Sequence, residues 1–277
     1  MTLSARNNLL RGGIIFAALS LLLAAAGGYF AFSAFPEAAG AAGLRSQGVL
    51  QHFAAKLAEP SAYVPFWTII GLVAYSLISI ILIYYFFENT QSPEILFFAF
   101  FIISLSFEFT RILLPLKRVI PFPSMYLITA SRILLFGRYF GLLSLFAAGV
   151  YAAGLNIRKQ QYIFLVVIAA SLYIALNLPV DSLVWDSSFM LKSGYNTMFS
   201  IAGAGILIIT MLTFFISAHT RGSGSYITIG IGVFLALAGR DILLCSDNWI
   251  TPLPGLFLLG LGTWFTCTRL HREYLWL

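Results

Sequence analysis

The sequence predicts an all-α protein, a polytopic transmembrane helical bundle of about eight spans, made of an N-terminal anchor and seven further helices. Three observations carry this. The 277-residue chain is 60% hydrophobic, only 9% charged, and has a mean hydropathy of +0.92, whereas a soluble domain carries about 25% charged residues. Several apolar runs approach or exceed the ~20 residues that a helix needs to cross the hydrocarbon core. Those runs are continuous rather than alternating, which favours helices, with every backbone polar group satisfied inside the segment, over a membrane β-barrel.

In chain order the spans are read at Gly13–Phe35, Pro65–Phe87, Glu94–Leu116, Met125–Ala153, Tyr162–Val180, Tyr195–Ala218, Tyr226–Cys245 and Pro254–Thr268. The first follows Arg6 and Arg11, and its apolar run is longer than the 7–15 residues of a secretory signal, so it is expected to stay as an anchor. Small residues such as Ala24 and Ala26 leave cleavage as the alternative.

Orientation follows from the basic residues that flank the spans. With the N-terminus inside, Arg6, Arg11, Arg158, Lys159, Arg221, Arg269 and Arg272 are inner, against Arg45, Lys56, Lys117, Arg118 and Lys192 outside. The expectation is an integral protein of a bacterial cytoplasmic (inner) membrane with both termini cytoplasmic. The formal charge of +6 then belongs to contact with anionic lipid headgroups, and no nucleic-acid partner is expected.

Residues 1–35 form the flank and signal-anchor, 36–64 an outer segment, and 65–277 the seven-helix bundle. Within the outer segment Leu50, Phe53 and Leu57 share one helical face, the pattern of a short amphipathic helix on the membrane surface. His52 is assigned no ligand.

Pairs of small residues mark helix contacts: Gly27 with Ala31, Gly137 with Gly141, Gly232 with Ala236, and the "SIAGAGI" stretch of the sixth span. "HTRGSGS" follows no strand and is read as a connection, not a phosphate loop. Cys245 and Cys267 lie near opposite ends of adjacent spans, too far apart for a disulfide. Neither HExxH nor GxSxG occurs, so no metal, cofactor or catalytic residue is assigned.

The unusual feature is charge inside apolar runs, beginning with "SLSFEFTRILL". An ionised side chain at bilayer depth costs at least ~2.5–3.5 kcal/mol on insertion scales and is a functional candidate by default. By depth, Glu108, Arg111, Arg132, Arg240 and Asp241 share a level in the outer half, Arg138 lies deeper, and Asp181 and Asp186 cap the fifth span on the same side. Arg132 and Arg240 are expected to meet Glu108 and Asp241 across the third, fourth and seventh helices. Four arginines against two carboxylates leave two positive charges over. Arginine's planar fork suits carboxylate or phosphate, so Glu108, Arg111, Arg132, Arg138, Arg240 and Asp241 are read as an anion-binding set, with hydroxyls from Tyr126, Ser131 and Tyr139. The competing reading is a buried ion network that only fixes helix register.

Three classes of function fit: a sensor or accessory subunit holding an anionic small molecule or lipid headgroup, a transporter of an anionic solute or lipid, and an intramembrane enzyme acting on a lipid or lipid-linked group. The transporter ranks second because no mid-span break recurs in matching halves. The enzyme ranks third because the cluster has no histidine and no nucleophile motif.

An anchor, a short outer segment and seven spans ending inside is similar to the plan of bacterial seven-helix sensor receptors, in architecture alone and with no shared motif. For such a plan the short tail "RLHREYLWL" leaves signalling to a separate protein partner at the cytoplasmic face. In the tail, Arg269, Arg272, Tyr274 and Trp276 read as a headgroup anchor.

Overall fold

A computed structural model gives the fold. It describes residues 3–33, 57, 59, 61, 63–88, 90, 92–117, 119–156, 159–179, 189 and 196–275. Most of the expected amphipathic helix, Asp181, Asp186 and Trp276 lie outside these residues.

Among the described residues there are eight long helices: α1 (Leu3–Ser33), α2 (Val64–Phe87), α3 (Pro93–Leu116), α4 (Ser124–Ala152), α5 (Gln160–Asn177), α6 (Asn196–Arg221), α7 (Ser225–Leu244) and α8 (Pro252–Leu275). Seven of them, α1 to α7, are long and apolar enough to cross a membrane. The last helix differs from its expectation. At 24 residues it has the length, but Thr263, Thr266, Thr268 and three glycines dilute its apolar run. The protein is an integral membrane protein with a helical, multi-pass architecture.

The helices alternate in direction. Arg6, near the start of α1, donates to the carbonyls of Phe87 (2.9 Å) and Glu88 (2.5 Å) at the end of α2. Glu94, at the start of α3, meets Arg221 at the end of α6 and Tyr274 at the end of α8. One end of the bundle, called here the N face, therefore gathers the starts of α1, α3 and α7 and the ends of α2, α4, α6 and α8. At the opposite face the chain before α2 is pinned to the α7–α8 connection, through Ser61 N–H to Asp247 O (2.9 Å) and Trp249 N–H to Leu57 O (3.1 Å).

Helix α3 is the axis. Of its most apolar stretch 89% is buried, against 17% for α6, and it packs on α1, α2, α4 and α8. Its phenylalanines fill the core: Phe97 stacks on Tyr151 of α4 at 5.4 Å, and Phe100 on Phe164 of α5 at 4.8 Å. The outer surfaces of α1, α5 and α6 expose Leu19, Leu22, Leu165, Val166, Ile208 and Phe215, large side chains whose natural surroundings are lipid.

The helix is not α-helical throughout. Pro93–Ser104 is α, Leu105–Ile112 is a 3₁₀ helix, and Leu113–Leu116 is α again. Eight residues is long for this geometry. Two local causes coincide. Thr110 turns its hydroxyl back onto the Phe107 carbonyl (2.9 Å) and Ser104 onto Phe101 (2.7 Å), competing with the backbone ladder. Pro115 lacks the N–H that would bond the Arg111 carbonyl and crowds it.

Small residues let the helices close up where expected, with one exception. A Cβ on Gly137 would lie 2.7 Å from Phe107 Cγ, and one on Gly141 3.2 Å from Ser104 Cβ. Helices α7 and α8 touch through backbone: a Cβ on Gly239 would lie 2.6 Å from the Gly255 carbonyl, and one on Gly262 2.8 Å from Ala236 Cα. The glycines of "SIAGAGI" do not take part. Gly205 faces open space and Gly203 reaches only Leu142, at 4.0 Å.

Candidate functional site

Glu108 and Arg111 lie on the 3₁₀ segment. Three residues per turn eclipse i and i+3, which stacks Arg111 Nη1 onto Glu108 Oε2 at 3.3 Å. Arg138 comes across from α4 and grips the same carboxylate with a fork, Nε to Oε1 at 2.8 Å and Nη2 to Oε2 at 2.9 Å. Glu108 is 3% exposed, so both oxygens are held by guanidinium in a dry interior, where charge-assisted bidentate pairs are strongest.

Arg240 enters from α7 and is 7% exposed. Its Nε (2.9 Å) and Nη2 (2.7 Å) both donate to Asp241 Oδ1 on the next residue. The Asp241 side chain is 55% exposed, so this pair runs from the interior to the surface. Arg240 lies within electrostatic reach of Glu108, and Asp241 of Arg138. Arg240 Nη1 is buried and meets no acceptor among the described residues.

The structure thus brings together Glu108, Arg111, Arg138, Arg240 and Asp241. It leaves out Arg132, which is exposed; the expected meeting of Arg132 with the carboxylates does not occur. The reason is azimuth. The face of α4 against α3 runs through Leu134, Gly137 and Gly141. At 100° per residue Arg132 points about 160° away from Leu134, and Arg138 only about 40°. Depth alone favoured the wrong arginine, although the glycine stripe already marked the face. With Arg132 removed, the surplus falls from two positive charges to one. Of the expected hydroxyls, Tyr139 is buried beside Arg138. Ser131 lines a void of about 10 Å³ next to Arg111, room for about one water. Tyr126 is exposed and stands apart.

A second polar assembly, at the N face, escaped the sequence reading. Glu94 is 2% exposed. Ser92 Oγ donates to its Oε2 (2.8 Å), as does the Tyr274 hydroxyl, while Oε1 faces Arg221 Nη2 at 3.8 Å. Arg221 also donates to the Tyr226 hydroxyl (2.5 Å) and to the Tyr151 carbonyl (3.4 Å). Tyr274 lies beyond the apolar part of α8; burial first, then the Glu94 carboxylate, push its phenol well above the usual range, so it stays a donor. Half-buried, it turns its hydroxyl onto Glu94. "SPE" opens α3 with a serine cap, a proline and a first-turn acid, an ordinary helix start. That ordinariness hid the buried carboxylate.

Among the described residues no three His, Cys, Asp or Glu side chains are grouped to hold a metal ion, and Cys245 and Cys267 are both free thiols. No protein-family description, characterised protein or solved structure matches the chain.

Proposed function

We propose that this membrane protein binds an anion at the Glu108–Arg240 cluster, as a sensor or accessory membrane subunit for an anionic small molecule or lipid headgroup. The single observation that carries the reading is Arg240 Nη1, a guanidinium nitrogen buried without an acceptor. A buried unpaired donor on a charged group costs several kcal/mol, and a bound oxyanion removes that cost. The surrounding charge agrees: Arg111 and Arg138 share the one carboxylate of Glu108 and Arg240 is paired with Asp241, so the cluster as a whole carries one positive charge over.

Arg240→Gln tests this. Purified in detergent, the wild type is expected to gain thermal stability with millimolar phosphate or acetate. The variant should lose most of that gain while keeping its ligand-free unfolding midpoint within a few degrees. A variant that unfolds early yet responds to the anions like wild type would make the cluster a register-setting network instead.

A second reading, transport of the same anion, is favoured by the 3₁₀ segment that interrupts α3 at Glu108. Transporter sites form where a spanning helix is broken near the midplane. Uptake of radiolabelled phosphate by proteoliposomes, abolished by Arg240→Gln, would select it. Binding without uptake selects the sensor.

A further inference from the structure

We infer that the N face carries a second binding site, built on Glu94, Arg221 and Tyr151, for a zwitterion that joins a primary ammonium to a phosphate. These side chains line a cleft of about 460 Å³ between the start of α3 and the ends of α4, α6 and α8, within the size range of small-molecule sites. Its rim is exposed, at Gly154, Asn156 and Arg221, and its floor is buried, at Glu94 and Tyr151.

The floor holds one unused hydrogen-bonding position and one loosely paired carboxylate oxygen. Glu94 Oε1 faces Arg221 across 3.8 Å. The Tyr151 hydroxyl, on a residue 1% exposed, has no partner, although it lies within electrostatic reach of Glu94. Buried polar atoms are rarely left so.

Charge selects the ligand. A simple anion that reached Arg221 and Tyr151 would be repelled by Glu94, and a simple cation on Glu94 by Arg221. A molecule with both charges complements the pair, and as a phosphodiester it adds no net charge to the cleft. Glu94 Oε1 needs an N–H donor, which a primary ammonium has and a quaternary one lacks. The guanidinium fork and the phenol suit phosphate oxygens.

The backbone fixes the cleft. Helix α4 ends with Gly154 at φ +105°, and the bonds Gly154 N–H to Tyr151 O (3.0 Å) and Leu155 N–H to Val150 O (3.4 Å) form a Schellman cap. The cap turns the chain away at once, and the Tyr151 carbonyl also holds Arg221 at the rim.

Two sources carry this chemistry, a free phosphoethanolamine-type solute and the headgroup of phosphatidylethanolamine, and the experiment separates them. Thermal unfolding in detergent is measured with O-phosphoethanolamine, with ethylamine and with inorganic phosphate. Native mass spectrometry follows lipid retained from nanodiscs of phosphatidylethanolamine or phosphatidylcholine. Stabilisation by O-phosphoethanolamine beyond both single-charge probes supports a free ligand, and selective retention of phosphatidylethanolamine supports the lipid. Tyr151→Phe should weaken whichever binds by about fivefold, the worth of one hydrogen bond, without lowering the ligand-free midpoint, since the hydroxyl makes no bond there. Arg221→Lys, on the rim, should weaken it as well by replacing the fork with a point charge. No response in either arm, an equal response to phosphate or ethylamine alone, or unchanged binding by both variants would overturn the proposal. The comparison is made in Arg240→Gln, which removes the phosphate response of the other cluster and, because Arg240 is not part of this cleft, should leave the response to O-phosphoethanolamine intact.

Discussion

Glu108 is one carboxylate held by two guanidinium groups, and its removal would leave like charges facing each other. Glu108→Gln is expected to destabilise the protein by about 3–5 kcal/mol, the usual cost of stranding a buried charge, and exchanging Glu108 with Arg138 should recover part of it. Arg132→Gln, on the exposed side of α4, should stay within about 0.5 kcal/mol. Thermal unfolding of the purified variants checks both, and equal losses at Arg132 and Glu108 would contradict the geometry. The sequence made the charges themselves legible, since any ionised residue in an apolar run stands out. Their level was less so: Arg138, read as deeper than Glu108, is the arginine that grips it. Azimuth was harder: Arg132 and Arg138 both fall inside α4, and only the neighbours of Leu134, Gly137 and Gly141 decide which one points inward. Glu94 was not legible at all, because its partner Tyr274 lies 180 residues away.

At the scale of elements, the α7–α8 pair rests on backbone contact. Gly239→Ala places a methyl group against the Gly255 carbonyl, with no flexible side chain to give way, and is expected to cost about 1–3 kcal/mol through overpacking. Gly205→Ala, in open space on α6, should instead be neutral or gain up to about 1 kcal/mol from helix propensity. Unfolding midpoints that move in the same direction for both would refute the assignment. Small residues in the sequence were thus good markers of close packing where their helix face had a neighbour, as at Gly232 and Gly239, and false markers where it did not, as at Gly205. The 3₁₀ segment of α3 left a fainter trace. Ser104, Thr110 and Pro115 are each tolerated in ordinary membrane helices, and only their joint effect on one stretch tightens the turn.

For the molecule as a whole, seven helices and their approximate ends could be read from hydropathy because each is a local property of 18 or more residues, while the eighth left only a shorter apolar run. Which helix becomes the axis could not be read. Helix α3 is no more apolar than α2 or α6, yet it is the one enclosed on all sides, a consequence of how the others pack around it. That enclosure bears on the order in which the chain is made. Two charges in the second half of the span cost up to about +5 to +7 kcal/mol to insert, the value at the helix centre, and the fifteen Leu, Ile and Phe residues of Pro93–Leu116 return about −5 to −9, so α3 by itself has only a small preference for the membrane. Arg138 emerges from the ribosome 27 residues after Arg111, seconds later at about 5–20 residues per second. Until then α3 has its charges and no counterpart from α4. Nascent chains halted just after Leu116 should therefore integrate α3 incompletely in glycosylation mapping, and chains extended through Ala152 should integrate it fully. Replacing Glu108 and Arg111 together by leucine should abolish the difference, and equal integration at both lengths would show that the central helix needs no later partner to enter the bilayer.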